Sequence, residues 1–292
     1  MSLVSIITRT KDRPILLRRA AGSVAGQTFR DLEWIIVNDG GEPAEVDSVV
    51  EECRGHMHNV KVIHNETCQG MEAASNKGIA RAVGRYLVIH DDDDSWQPEF
   101  LQRTTEFLES DNNRSYMGVV TRSMSIEEEI INERVVEKKR KIYNPDLSSI
   151  TLFQMAQLRN VPPPISFLYR REVLETTGLY REDLPVLGDW DFNLRFLRYY
   201  DIGVIREPLA NYHIRKTGTD TIYSNTVTGG IDRHIRYAAL LRNEYLRNDL
   251  DENRLGTGFI VNLCHEIDLI KKDVNRANLV LKLKNLLRTI RR

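Results

Sequence analysis

Four consecutive aspartates, Asp91-Asp92-Asp93-Asp94, stand directly behind the apolar run Tyr86–His90. Carboxylates this close raise one another's pKa unless a cation lies among them. In an extended run Asp91 and Asp93 point one way, Asp92 and Asp94 the other. One pair can share a hard divalent ion such as Mg2+ or Mn2+, which prefers one or two carboxylates together with substrate phosphates. The other pair is left to bind hydroxyls or to cap the next helix. A solvated acidic turn is the plain alternative. Its weight falls because two further polar clusters, Thr8–Asp12 and Asn38–Gly41, also follow apolar runs. Downstream, Asp189 is a carboxylate able to take a proton or to cap the Trp190 helix. His213 is a metal ligand or a packed strand histidine. Trp96 and Trp190 stack on a sugar or fill core. Pro162-Pro163-Pro164 fixes a loop, and His90 has the setting of a sheet-interior residue.

The elements that must place these groups alternate. Leu3–Thr8, Trp34–Val37, Val60–His64 and Tyr86–His90 read as buried strands. Between them Asp12-Lys11-type polar turns give way to helical spacing: Pro14–Val24 after Asp12 as N-cap, Ala44–Cys53, and Gly70–Val83. This alternation predicts an α/β fold with a mostly parallel sheet flanked by helices. Ligands then bind beyond the carboxyl ends of the strands, where all three polar clusters lie. Ser95–Ser110 reads as a helix, Met117–Arg122 as a strand, and Glu127–Arg140 as a helix or a hairpin. Ile165–Arg170 is a strand, Trp190–Tyr200 a helix and Leu209–Ile214 a last strand. Beyond about Gly229 only helical patterns remain. The expected layout is a catalytic domain over 1–228, with a ligand-binding part at 1–110 and a second part at 111–228, followed by a helical carboxy-terminal extension at 229–292.

The chain has 292 residues, 41% apolar and 28% charged, with a formal net charge of −1. Such a balance gives no long-range attraction for nucleic acid. Cys53, Cys68 and Cys264 are scattered and odd in number, which suggests neither a disulfide framework nor a metal set. A reducing, cytoplasmic compartment fits them. The start, MSLVSIITRTKDR, is too short in apolar residues for a signal peptide, and no run approaches a membrane span. Residues 271–292 hold eight Lys/Arg against Asp273 alone, with Leu279, Leu283, Leu286, Leu287 and Ile290 on one helical face. That pattern suits peripheral contact with an anionic membrane, or packing on the domain with a solvated basic face.

VSIITRTKDRP, WIIVNDGG, NETCQGMEAASNKGIARAVGRYLVIHDDDDSWQPEFL and VPPPISFLYRREVLETTGLYREDLPVLGDWDFNLRFL, in that order, resemble the inverting glycosyltransferases of family 2, which have the GT-A fold. The resemblance covers about residues 3–215. It implies a sugar transferred from a nucleotide-sugar, a UDP-sugar by preference, to a glycan or lipid-linked acceptor, commonly in bacterial surface polysaccharide synthesis. It implies Mg2+ or Mn2+. Thr8, Thr10 and Asp12 would line the base and ribose pocket, Asp39 would contact uracil or ribose, and Arg81 or Arg85 would lie near the phosphates. Asp91 would face the ribose or donor sugar, with Asp92 toward donor hydroxyls, and Asp93 would bind the metal. Asp189 matches the general base. The family often has Glu-Asp there; here it is Gly188-Asp189, which makes Asp191 a competitor. The family's third metal ligand would be His213, unless Arg215 takes that place and meets the diphosphate directly.

Two other readings remain open. A sugar nucleotidyltransferase would carry a glycine-rich phosphate loop, and Thr8–Pro14 has no glycine. A non-catalytic nucleotide-sugar-binding subunit would bind without turnover. A homo-oligomer is compatible with either.

Overall fold

The computed structural model describes residues 3–55, 57, 59–132, 134–157, 162–215, 223, 225 and 231–290, with the side chains of 231, 277 and 280–290 excluded. Its centre is strand β1 (Val4–Thr10), flanked by β2 (Leu32–Asp39) and β4 (Tyr86–Ile89), with β3 (Val60–Asn65) outside β2. These four strands are parallel, with Ile6 opposite Trp34 on one side and Val88 on the other. Their apolar runs are continuous because both faces are covered. The pleat divides them: Ile6, Ile36 and Val88 pack into one core, and Ile7, Ile35 and Leu87 into the other. Helices α1 (Pro14–Ala25) and α2 (Pro43–Cys53) close the first core; α3 (Met71–Ile79) closes the second.

After β1 the chain moves outward to β2 and β3, then returns to the opposite side of β1 as β4. The order therefore reverses between β1 and β4. A crevice opens at the carboxyl ends of strands where the order reverses in this way. Arg9, Thr10 and the aspartate run are placed there by topology alone.

The second half departs from the sequence expectations in detail. Ser95-Trp96 is a two-residue strand, β5, and the helix α4 begins only at Phe100, ending at Glu109. Trp96 is held out of the helix by its partners. Its indole stacks on Phe100 at 4.5 Å, its N–H donates to Ile165 O at 2.7 Å, and its backbone pairs with β9. The charged stretch at 127–140 is a hairpin, formed by β6 (Tyr116–Ile131) and β7 (Arg134–Ile142). β8 (Phe167–Arg170) is antiparallel to both β4 and β6, and β9 (Asp201–Arg215) runs parallel to β6 as far as Glu128–Arg215. Short helices α5 (Leu152–Ala156) and α6 (Leu174–Thr177), then α7 (Gly188–Leu197), cover this half.

Helices α8 (Ile231–Asp251) and α9 (Thr257–Ile290) form the carboxy-terminal region. Leu241, Val261 and Cys264 share a core with Met155 and Trp190, so these helices rest on α5 and α7. Of the apolar stripe expected at Leu279–Ile290, Leu279 is exposed and the rest lies outside the described side chains. Among the described residues no helix is long and apolar enough to cross a membrane.

Candidate active site

At the switch point lies a cleft of about 910 Å³. Arg9, Thr10, Lys11 and Arg13 line it from β1 and its following turn; Asp39 and Cys68–Glu72 line it from the next two strand ends. Asp91, Asp93 and Asp94 form its floor, while Tyr143–Leu147, Pro163, Pro164, Leu187, Asp189 and Tyr212 form the opposite wall.

The four aspartates form a turn, closed by Asp94 N–H donating to Asp91 O at 3.1 Å. Their division of labour resembles the alternation expected from an extended run, with one difference. Asp91 and Asp93 face the cleft, and Asp94 also borders it while its carboxylate accepts from His213 N at 2.8 Å. Asp92 does not reach the cleft. It is fully buried, accepting from Thr10 Oγ1 at 2.7 Å and from Arg13 Nε at 3.0 Å. A role toward donor hydroxyls is therefore corrected to a role in tying β1 to β4.

Cations surround the run. Arg9 Nε donates to Asp91 at 2.8 Å, while Arg215 donates to Asp93 from the end of β9 and Asn225 adds a bond at 3.1 Å. Burial raises Asp93, but Arg13, Arg215 and Arg19 outweigh it, and the carboxyl stays below its ordinary value. Burial pushes Asp92 to about 6 against the pull of Arg13. Asp94 is raised well above its ordinary value by burial and by Asp93 and Asp91.

Glu128, invisible as a site residue in the sequence, holds this arrangement from below. Buried on β6, it accepts from Arg19 at 2.7 Å, from His213 Nδ1 at 2.6 Å and from Arg215 at 2.6 Å. Despite burial, His213 and Arg19 pull it down to about 2. His213 is committed at both ring nitrogens, because its Nε2 meets Ser95 Oγ at 3.0 Å. The expectation of His213 as a metal ligand is thereby corrected. Arg215, the alternative for this segment, is buried and bonded to Asp93 and Glu128.

The nucleotide-side expectations separate. Thr10 lines the cleft, but Thr8 does not: its hydroxyl accepts from Trp34 Nε1 at 2.8 Å inside the core. Asp12 adopts φ 51° and accepts from Glu42 N at 2.9 Å, so it joins two strand-end turns rather than capping α1. Asp39 borders the cleft, yet its two oxygens accept from Asn65 at 2.8 Å, Gln69 N at 2.8 Å, Gly70 N at 2.9 Å and the Cys68 thiol at 3.2 Å. That fills a carboxylate's usual complement of acceptor sites. These bonds fold the 65–70 loop against Gly40, where φ is 76° and a Cβ would lie 2.4 Å from Cys68 N, leaving no room for a side chain. Arg81 and Arg85 lie elsewhere. They sit between α3 and the amino end of β4, at the opposite pole of the sheet, where Arg85 pairs with Glu109 at 2.9 Å. Arg9, Lys11 and Arg13 are the cations that reach the cleft instead. Their place directly after β1 was the available signal, outweighed by the polar residues between them.

Asp189 is on the first turn of α7, half-buried at the cleft wall, and accepts from Trp190 N at 2.8 Å. The residue before the turn, Leu187, holds φ 67°. A left-handed non-glycine residue of this kind is strained and marks functional sites more often than not. Asp191 is fully buried by Arg195 at 2.8 Å and by the Tyr245 hydroxyl from α8. It faces away from the cleft and is corrected to a structural tie. Trp190 is core, its N–H bound to Met155 O at 2.7 Å.

Among the described residues no donor reaches the second carboxylate oxygen of Asp91 or of Asp93, and both residues border the cleft. Two such oxygens suit Mg2+ or Mn2+ when phosphate and water complete the shell. Among the described residues no three His, Cys, Asp or Glu side chains are grouped to hold an ion alone.

The sequence profile of glycosyl transferase family 2 matches residues 5–178. The chain belongs to that family. Relatives of this glycosyltransferase include YwdF of Bacillus subtilis (strain 168), named as an uncharacterized glycosyltransferase, 28% identical over 71% of this chain and 72% of that one. A PGL/p-HBAD biosynthesis glycosyltransferase of Mycobacterium bovis (strain BCG / Pasteur 1173P2) is 28% identical over 66% of this chain and 69% of its own. Among solved structures, S. aureus TarS 1-349 in complex with UDP-GlcNAc superposes with a TM-score of 0.63 at 20% identity, covering 84% of this chain and 66% of that one. The mannosyltransferase PcManGT from Pyrobaculum calidifontis, in complex with GDP-Man and Mn2+, gives 0.60 at 16% identity, covering 90% and 68%. These likenesses establish the GT-A fold for the glycosyltransferase.

Proposed function

We propose that this glycosyltransferase moves a sugar from a nucleoside-diphosphate donor, a UDP-sugar by preference, to a hydroxyl of a glycan or lipid-linked acceptor with inversion at the anomeric carbon. The setting we favour is bacterial surface polysaccharide synthesis. One observation carries the reading. A single cleft opposes a donor floor (Asp91, Asp93, Arg9, Lys11, Arg13) to a wall whose carboxylates are Asp189, on the first turn of α7, and the exposed Asp146. S. aureus TarS binds UDP-GlcNAc on this fold, and the Pyrobaculum enzyme GDP-Man with Mn2+. The wall at Tyr143–Leu147, Pro163 and Pro164 is the natural acceptor surface.

In the mechanism this geometry supports, the acceptor oxygen attacks the anomeric carbon from the Asp189 side as the bond to the diphosphate oxygen breaks. Asp189 takes the hydroxyl proton. Lys11 and Arg13 meet the charge that leaves with the diphosphate. Arg9 holds Asp91 in place, and Arg215 does the same for Asp93. A divalent ion held by Asp93 and Asp91 would supply further neutralisation of the diphosphate.

The test is a panel of UDP- and GDP-sugars screened by thermal shift with Mn2+, followed by nucleoside-diphosphate release. Asp189→Asn should keep the donor-induced shift and lose turnover, whereas Asp93→Ala should lose both. Undiminished turnover in Asp189→Asn would remove the base assignment, and full activity in excess chelator would remove the ion.

A further inference from the structure

Glu72 is a carboxylate that the mechanism above leaves unused. It sits on the first turn of α3, only 4% exposed, at the border of the cleft. Two observations place it beside the base. The first is steric. A Cβ built on Gly188 would lie 2.4 Å from Glu72 Oε1 and 2.5 Å from its carboxyl carbon. A side chain at 188 would have to displace the Glu72 carboxylate, and 188 is the residue bonded to Asp189. The second is a bridge. Arg9 donates to Asp91 at 2.8 Å, to Ser75 Oγ at 2.9 Å and to Glu72 Oε2 at 3.4 Å. One guanidinium thus spans the donor floor and the base wall.

We propose that Glu72 is the positioning residue of the base: its carboxylate, delivered from α3 into the space a side chain at 188 would fill, fixes the turn carrying Asp189 and ties that placement through Arg9 to donor-side Asp91. The proposal rests on the reading of Asp189 as base. The turn needs such support. Leu187 holds it in a left-handed conformation, and strained backbone persists only when its surroundings over-determine it. Arg9 supplies a route by which a ligand on Asp91 is felt at Asp189, since moving the guanidinium toward one carboxylate weakens its hold on the other.

The groups facing Glu72 are Arg9 and Asp91 from the ends of β1 and β4, Asp189 from α7, and Tyr169 and Tyr180 behind it. Burial, opposed by Arg9 and reinforced by Asp189 and Asp91, lifts its carboxyl to about 7. The ionised Glu72 carboxylate holds the working geometry, so the acid side of the rate profile falls in that range.

The experiment uses the whole chain and whichever UDP- or GDP-sugar stabilises it most, reading nucleoside-diphosphate release against pH. Glu72→Gln, isosteric but uncharged, should lose roughly tenfold or more at pH 8 while keeping the donor-induced thermal shift, with its acid limb moved about one pH unit lower. Gly188→Ala should lose a similar factor. The double variant Glu72→Ala/Gly188→Glu returns a carboxylate to the same space from the other backbone, and should recover to within about threefold of wild type. A wild-type rate and pH profile in Glu72→Gln would overturn the proposal. So would a folded double variant no faster than Glu72→Ala. If the double variant fails to melt cooperatively, Glu72→Gln decides alone. Asp189→Asn run alongside separates the two readings: if it is inactive while Glu72→Gln is normal, only the positioning role falls; if it is fully active, the base assignment falls first.

Discussion

Replacing Glu128 by glutamine tests whether the floor of the cleft is held by charge. Glu128 is 3% exposed and accepts from Arg19, His213 and Arg215. Its carboxyl is drawn from an ordinary 4.5 to about 2, with burial overcome by His213 and Arg19. A carboxyl depressed in the folded state adds stability above its unfolded pKa and loses it as pH falls through the folded value. The depression of two to three units is worth about 3 kcal/mol at pH 7. Independent reasoning gives the same size, because removing one partner from a buried ion pair typically costs about 3–5 kcal/mol. Glu128→Gln should therefore lower Tm by roughly 5–10 °C at pH 7. The gap to wild type should narrow as pH drops below about 4.5, where the unfolded carboxyl takes up its proton. Urea denaturation at pH 7 and pH 4 measures both values, with Glu137→Gln on the exposed side of the same hairpin as control. A gap independent of pH would show that the glutamine disturbs packing rather than charge, and the electrostatic account of the floor would be wrong.

Glu72→Gln makes the opposite thermodynamic case. Its carboxyl is raised to about 7, so the wild-type fold loses stability between an ordinary 4.5 and 7 as the unfolded chain ionises first. The variant should melt higher than wild type at pH 8 and equally at pH 4; a lower melt at pH 8 would refute the sign. Mn2+ should raise Tm appreciably only together with UDP or GDP, because the protein offers two carboxylates and the phosphates complete the shell; a strong shift with Mn2+ alone would count against that donor set. Arg85→Ala should leave the donor-induced shift unchanged, since Arg85 is at the far pole, whereas Arg13→Ala should abolish it. Asp191→Asn should cost about 1–3 kcal/mol of stability in urea titration, through the lost ties to Arg195 and Tyr245, with turnover per folded molecule preserved.

The parallel half of the sheet was legible because its signals are local. Apolar runs, a proline at the first turn of a helix and polar strand ends all lie within a few residues of what they specify, and the aspartates stood where the topology puts a ligand. The misreadings share a different cause. Arg81 and Arg85 are near the aspartates in sequence, but α3 and β4 run in opposite directions and carry that loop to the other pole. Thr8 and Asp92 have ligand-like chemistry but point into the sheet, and a one-residue step in register decides which side they take. Glu128 and Glu72 act through partners far away in the chain, and nothing in their local pattern distinguishes them from surface charges. Trp96 looked helical by position, yet pairing with β9 overrode that preference.

The parallel pairing of β6 with β9 has a consequence for how the molecule is made. Residues 3–89 are assembled from strands and helices that neighbour one another in sequence. The partner of Asp93, however, is Arg215, separated by 122 positions, and Glu128 waits for the same residue across 87. During synthesis from the amino end, Arg9 and Arg13 are already present for Asp91 and Asp92, but the strand that carries Arg215 is not. Until β9 docks, Asp93 lacks Arg215, and Glu128 lacks both Arg215 and His213. Closing the catalytic floor is then a late event in folding, and the chain acquires its shape before it acquires its site.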